Sequence, residues 1–161
     1  MAIKVGDTLP LNMKLKEMGD GGPHDVAVAD LVKGKKTVWF AVPGAFTPTC
    51  SLKHLPGFLE QAAAIKAKGV DEIICLAVND AFVMGAWGDA NNARGKVRML
   101  ADGNADFTKA LGLALDGSGF GMGVRSQRYA MIVNDGKVQE LFIEAGPGLS
   151  VSSAESVLSK L

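Results

Sequence analysis

Two almost continuously apolar runs, Thr37 to Val42 and Glu72 to Val78, bracket a segment with helical spacing, and that order restricts the fold more than any other feature of the chain. A strand with no polar alternation must be covered on both faces, which is the condition of a parallel strand inside an α/β sheet. Between the runs, Leu52, Leu55, Leu59 and Ala62, with Phe58 and Ile65 alongside, step by three and four residues, and Gly69 supplies a stop. Strand, helix, strand implies a right-handed crossover between parallel neighbours. Pro56 falls about two turns into the helix, where its ring removes a backbone donor and crowds an earlier carbonyl, so a kink or break is predicted there.

Leu11, Met13 and Leu15 alternate with Asn12, Lys14 and Lys16, the period of a half-buried strand, and Gly19-Asp20-Gly21-Gly22-Pro23 then turns the chain so that Asp25 to Val28 can return as a hairpin partner. Phe82 to Trp87 reads as a short helix, Val97 to Ala101 as a strand and Ala105 to Leu111 as a helix. Tyr129 to Val133 and Val138 to Ile143 flank Asn134-Asp135-Gly136-Lys137, whose Asp-Gly pair is a hairpin signal. Ser152-Ser153-Ala154-Glu155 fits a capping box, with Val157, Leu158 and Leu161 giving a last helix its apolar face. The expectation is an α/β fold in one domain over residues 1–161, a mixed central sheet with helices on both faces.

At 161 residues and 48% hydrophobic content the chain suits one domain with a substantial core. Basic and acidic residues both number 17, so no cationic surplus is available for phosphates or anionic lipid, and nucleic-acid and membrane partners are not expected. No apolar run approaches the roughly 20 residues of a membrane span, and Met1 to Asp7 carries no signal-peptide core. A cytoplasmic protein is therefore expected, or an organellar one if a transit peptide has been removed. Two cysteines are too few for a disulfide scaffold, which leaves catalysis, redox sensing or burial.

The chemistry concentrates in Ala41-Val42-Pro43-Gly44-Ala45-Phe46-Thr47-Pro48-Thr49-Cys50, where an apolar run ends in turn residues and delivers a cysteine to the start of a helix. That is the carboxyl end of a parallel strand, where open α/β sheets place their sites. The thiolate is the nucleophilic form of cysteine, and the positive end of a helix favours it. Lowering a thiol pKa from about 8.5 to about 6 raises the ionised fraction at pH 7 some thirtyfold, while intrinsic nucleophilicity falls roughly tenfold to twentyfold. The net gain is small, so rate must come from aligning the substrate and stabilising its leaving group.

Pro43 to Phe58, PGAFTPTCSLKHLPGF, resembles the active-site signature of the peroxiredoxins, specifically the peroxiredoxin-5 or type II subfamily. The resemblance continues through Lys66-Ala67-Lys68-Gly69-Val70, Val78-Asn79-Asp80-Ala81-Phe82-Val83 and Leu100-Ala101-Asp102 to Ser153-Ala154. It implies a thioredoxin-like fold and a thiol-dependent peroxidase acting on hydrogen peroxide and organic hydroperoxides, with no metal or bound organic cofactor. It also implies a homodimer.

The family motif Pro-x-x-x-Thr-x-x-Cys falls on Pro43, Thr47 and Cys50, and the family's distant arginine is carried onto Arg125 in Gly123-Val124-Arg125-Ser126. Cys50 would attack one peroxide oxygen and become a sulfenic acid. Arg125 would stabilise the thiolate and the departing oxygen, Thr47 would orient the peroxide, and Pro43 would shield the sulfur from water. Arg128 is given at most an ion pair that holds this region.

Cys75 lies inside the second apolar run, roughly 10 to 13 Å back from the strand end near Cys50, whereas a disulfide needs Cα atoms within about 7 Å. The resemblance offers Cys75 as a possible resolving cysteine, but Val151 and Ser152 stand where other type II members carry a C-terminal one. Resolution by an external thiol is favoured, from glutathione with or without glutaredoxin, or else thioredoxin. A peroxide-sensing or partner-regulating module that oxidises once is the rival reading. His54, with Cys50, Cys75 and His24, makes a metal set by count alone. Gly117 to Gly123 reads as a mobile loop leading to Arg125. Met84, Trp87, Met99, Phe120 and Met122 line an apolar mouth or dimer surface, or else are scattered core.

Overall fold

The computed structural model, which describes residues 1–161, sets both apolar runs side by side at the centre of a seven-stranded sheet. In chain order the elements are β1 (Lys14–Gly19), β2 (Gly22–Ala27), α1 (Val28–Val32), β3 (Lys36–Val42), a π-helical turn (Cys50–His54), α2 (Leu55–Ala67), β4 (Glu72–Ala77), α3 (Ala81–Ala90), β5 (Arg98–Ala101), α4 (Asp106–Ala110), β6 (Ala114–Asp116), a 3₁₀ turn (Ser118–Phe120), β7 (Val124–Ser126), β8 (Tyr129–Asn134), β9 (Lys137–Ile143) and α5 (Ala154–Leu158). The large sheet runs β2-β1-β5-β4-β3-β8-β9, while β6 and β7 form a separate hairpin. β4 lies parallel to both β3 and β5, and every other pairing is antiparallel.

Strand periodicity divides the core between the two faces. Val38, Phe40 and Val42 of β3, Ile73, Cys75 and Ala77 of β4, and Ala130 and Ile132 of β8 pack under α2, α3 and α5. Trp39, Ala41, Ile74, Leu76, Tyr129, Met131 and Val133 point the other way, toward α1 and α4. Phe40 stacks on Phe58 at a centroid distance of 4.1 Å, and Trp39 on Phe107 at 5.7 Å, so each face carries one aromatic pair joining sheet to helix. The mixed sheet with helices on both faces is the one the sequence predicts.

Local departures have local causes. β1 begins at Lys14 rather than Leu11, because Pro10 has no N–H for a ladder and its carbonyl instead accepts from Met13 N at 3.2 Å, closing a turn. The capping box does not form. Ser153, not Ser152, caps α5 by accepting from Ser156 N, and Ser152 is committed to Glu144. The β8–β9 hairpin has positive φ at both Asp135 and Gly136, as a type I′ turn requires.

Candidate active site

β3 ends at Val42, and the chain passes over the carboxyl end of the sheet in a loop pinned from the segment just after β4, where the Asn79 side chain accepts from Ala45 N at 2.9 Å. Thr47 donates its hydroxyl to Gly44 O at 2.6 Å, and its carbonyl accepts from Ser51 N at 2.9 Å. Gly44 is required by close approach: a Cβ there would stand 3.0 Å from Arg125 Nη1 and 3.1 Å from Thr47 Cγ2. The thiol of Cys50 then opens a π turn in which Leu55 N donates to Cys50 O. The break predicted at Pro56 is this turn. An α-helical register would ask Pro56 for an N–H to serve Leu52, and none exists, so the wider ring forms upstream and α2 starts with the proline in its first turn.

Cys50 is fully buried, and the group that meets its sulfur is Arg128, whose Nη2 donates to Sγ at 3.1 Å. This corrects the assignment of Arg125. Arg125 lies on the small hairpin, donates from Nε to Met122 O at 2.9 Å and from Nη1 to Pro43 O at 3.4 Å, and is held at the loop rather than at the sulfur. The reason is register. Tyr129 pairs with Ala41, which sets Arg128 level with the end of β3, and Arg128 shares strand parity with Ala130 and Ile132 on the Cys50 face.

His54 is the residue that sequence reasoning underrated. Arginine can only donate, so the 3.0 Å contact between Arg128 Nη1 and His54 Nδ1 makes Nδ1 the acceptor. The proton therefore sits on Nε2, which donates to Ser152 O at 2.8 Å. Burial holds the imidazole neutral, bringing its pKa down to about 4; the Ser152 carbonyl opposes that, Arg128 adds to it and Glu144 opposes it. Its ring is packed against Phe40 and Phe58 at centroid distances of 5.0 and 5.6 Å.

Cys75 sits opposite Phe40 in the ladder, fully buried on the same face as Cys50, and both cysteines are free thiols. Burial pushes the Cys75 thiol well up, and Cys50 nearby pushes it further. The proposed apolar mouth divides. Met84 and Trp87 are core, with the Trp87 indole N–H donating to Ser51 Oγ at 3.0 Å, and Met99 packs against Gly88. Phe120 is 87% exposed, and Met122 reaches the Gly44 loop. Gly117 to Gly123 closes β6 onto β7 through a short 3₁₀ turn, with Gly117 N donating to Gly123 O, and does not open a helix of the kind a phosphate loop needs. No three His, Cys, Asp or Glu side chains cluster as a metal set.

A buried cysteine at the carboxyl end of a parallel strand, met by a guanidinium in a mixed sheet covered on both faces, defines a thioredoxin-like thiol-redox protein, and the redoxin family matches residues 4–158. The chain is 51% identical over 159 residues to Peroxiredoxin-2B of Arabidopsis thaliana, covering 99% of this chain and 98% of that one. It is 51% identical over 168 residues to the chloroplastic Peroxiredoxin-2E-2 of Oryza sativa subsp. japonica, covering 99% and 72%. A crystal structure of reduced Prx3 in complex with H2O2 from Vibrio vulnificus superposes with a TM-score of 0.93 at 54% identity, over 98% of each chain. The chain belongs to the redoxin family as a type II peroxiredoxin, a thiol-dependent peroxidase.

Proposed function

We propose that Cys50 is the peroxidatic cysteine and that Arg128, rather than Arg125, is its catalytic arginine. The observation that carries this is the 3.1 Å bond from Arg128 Nη2 to the buried sulfur. The Cys50 thiolate attacks the terminal oxygen of a hydroperoxide in line with the O–O bond. An S–O bond forms, the O–O bond breaks with its electron pair on the distal oxygen, and that oxygen takes a proton to leave as water or alcohol. Arg128 stabilises the charge on the leaving oxygen with its remaining donors. The Thr47 hydroxyl spends its hydrogen on Gly44 O, which leaves its lone pairs to accept from the peroxide. Pro43 shields the sulfur and lends its carbonyl to Arg125.

The sulfenic acid is resolved by an external thiol, which displaces water to give a mixed disulfide that a second thiol then reduces. Glutathione with glutaredoxin is the favoured donor and thioredoxin the alternative. In support, burial inside β4 disfavours the thiolate of Cys75, and Val151 and Ser152 stand where other type II members carry a C-terminal cysteine. The reaction draws on no metal or bound organic cofactor. Phe46, Leu52 and Phe120 expose large apolar side chains on the segments around the site, which supports a homodimer built on this face. The cytoplasm is the proposed compartment, with an organelle the alternative raised by the chloroplastic relatives; no helix is long and apolar enough to cross a membrane.

Peroxide consumption by the wild type, Cys50→Ser and Cys75→Ser, with glutathione plus glutaredoxin and separately with thioredoxin, tests this reading. Cys50→Ser is expected to be inactive and Cys75→Ser to turn over repeatedly. Loss of turnover in Cys75→Ser with every donor overturns external resolution, and a wild type that stops after one equivalent is a sensor.

A further inference from the structure

Arg128 is 5% exposed, makes no ion pair with any carboxylate, and leaves its buried Nε without a partner. Apart from the sulfur itself, its guanidinium has one anchor, the Nδ1 of His54. That anchor accepts only in the tautomer with its proton on Nε2, and what selects the tautomer is the carbonyl of Ser152. The aim of the arginine thus depends on where a loop carbonyl lies.

One carboxylate decides where that carbonyl lies. Glu144, 8% exposed, follows β9, and its backbone N–H donates to Arg128 O at 3.0 Å, so the two residues are locked in the same ladder. Its side chain accepts five hydrogen bonds from one short segment. Ser150 N, Val151 N and Ser152 N donate to Oε2 at 2.9, 2.9 and 2.8 Å; the Ser152 hydroxyl donates to Oε2 at 2.7 Å and the Ser150 hydroxyl to Oε1 at 2.8 Å. Residues 150–152 are wrapped around the carboxylate, and the free carbonyl of Ser152 is turned inward to His54. The result is a closed ring: Glu144, Ser152, His54, Arg128 and back through the backbone to Glu144, with Cys50 hanging from the guanidinium.

We propose that Glu144 is a positioning residue for the reaction at Cys50, acting through the Ser152 carbonyl and the His54 tautomer to aim Arg128 at the sulfur. The proposal rests on the reading of Cys50 as the reactive thiol, but its test needs no peroxide. Glu144→Gln keeps the shape and removes the charge that gathers three amides and two hydroxyls. Two readouts are taken: the rate of Cys50 alkylation by iodoacetamide in a Cys75→Ala background, and the ¹⁵N signals of the two histidine rings, with exposed His24 as the internal reference. Alkylation is expected to slow by about tenfold to a hundredfold, as for other small misplacements of a reacting group, and the His54 signals to move from a single Nε2–H form toward a mixture.

A double-mutant cycle separates positioning from stability. In a His54→Gln background, Glu144→Gln is expected to slow alkylation no further, because the route it acts through is already cut. Losses that multiply, or slowed alkylation with the His54 signals unmoved, overturn the proposal, as does unchanged alkylation. Should Glu144→Gln fail to fold, Ser150→Ala with Ser152→Ala takes two of the five donors and leaves the amides in place, and the same two readouts support or overturn the proposal in the same way. A wild type that alkylates readily but consumes no peroxide would overturn the proposed function and leave this test standing.

Discussion

Arg128 donates to the Cys50 sulfur from one Nη nitrogen while the other holds His54 Nδ1, so a single planar fork measures the separation between the thiol and the imidazole. Lysine has one charged head and cannot span both. Arg128→Lys and Arg128→Met are therefore both expected to lower kcat/KM for hydrogen peroxide by roughly 100-fold to 1,000-fold, the scale of losing an electrostatic donor at a reacting oxygen. Arg125→Ala, which breaks one short bond to Met122 O and a long one to Pro43 O, is expected to cost less than about tenfold. Steady-state peroxidase assays of the three variants decide between the two arginines. The reverse ranking would restore Arg125.

The two arginines show where the sequence stops being legible. Gly123-Val124-Arg125-Ser126 and Gln127-Arg128-Tyr129 each offer a cation three residues apart, and residue type does not separate them. What separates them is the pairing of β8 with β3, a long-range fact: Arg128 inherits the parity of Ala130 and Ile132 and faces α2, while Arg125 belongs to a hairpin outside the main sheet. The start of the apolar run at Tyr129 marks Arg128 as a strand-end residue, and only the β3–β8 pairing sets it beside Val42. By contrast, the crossover of β3 and β4, the Asp135-Gly136 hairpin and the interruption at Pro56 rest on local pattern, and each is found in the structure. Glu144 had no local signature, because its five donors come from residues six to eight positions away in an irregular segment.

His54 makes folding stability depend on acidity in a window that can be isolated. Its folded pKa of about 4 lies below the usual histidine value of about 6.5, so between these pH values the unfolded chain binds the extra proton and stability is lost as pH falls. The contribution is present in full above about pH 6.5, and its loss by pH 4 is about 3 kcal/mol. Glu144 behaves similarly at lower pH. Burial raises its carboxyl, but the hydrogen bonds from Ser150 and Ser152 outweigh burial and hold it at about 2, so its share is lost only as pH drops from about 4.5. Urea unfolding of the wild type and His54→Gln between pH 7 and 4.5 should show the slope in the first and a flatter profile in the second.

Trp87 reports on the site from behind. Its indole N–H bonds Oγ of Ser51, the residue after Cys50, and the only other tryptophan, Trp39, bonds Thr37 on the opposite face of the sheet. One equivalent of peroxide is expected to change tryptophan emission in the wild type and in Trp39→Phe, and to leave Trp87→Phe and Cys50→Ser unchanged. A response that survives in Trp87→Phe would assign the signal elsewhere.

Cys75 is predicted to matter for packing. Replacing it by serine puts a hydroxyl among Phe40, Ile73 and Ala77 in the buried face and is expected to cost about 1–3 kcal/mol of stability, whereas turnover with an external thiol persists. Both thiols are buried, so titration of native protein with a disulfide reagent should separate them by chemistry: a faster Cys50, met by the Arg128 guanidinium, and a slower Cys75, whose thiolate burial disfavours. Two equally fast thiols would contradict this distinction.

Because Cys50 and Arg128 both lie away from solvent, the attraction between them is only weakly exposed to dissolved ions. Mobile counter-ions shorten the range of surface charges to about 10 Å at 0.1 M and about 3 Å at 1 M, but they screen far less a pair enclosed by β3, α2 and the 144–152 segment. Iodoacetamide is uncharged, so its rate with Cys50 should hold level from dilute buffer to molar sodium chloride, and a peroxidase of this build keeps its thiol equally ready in brackish and in fresh surroundings.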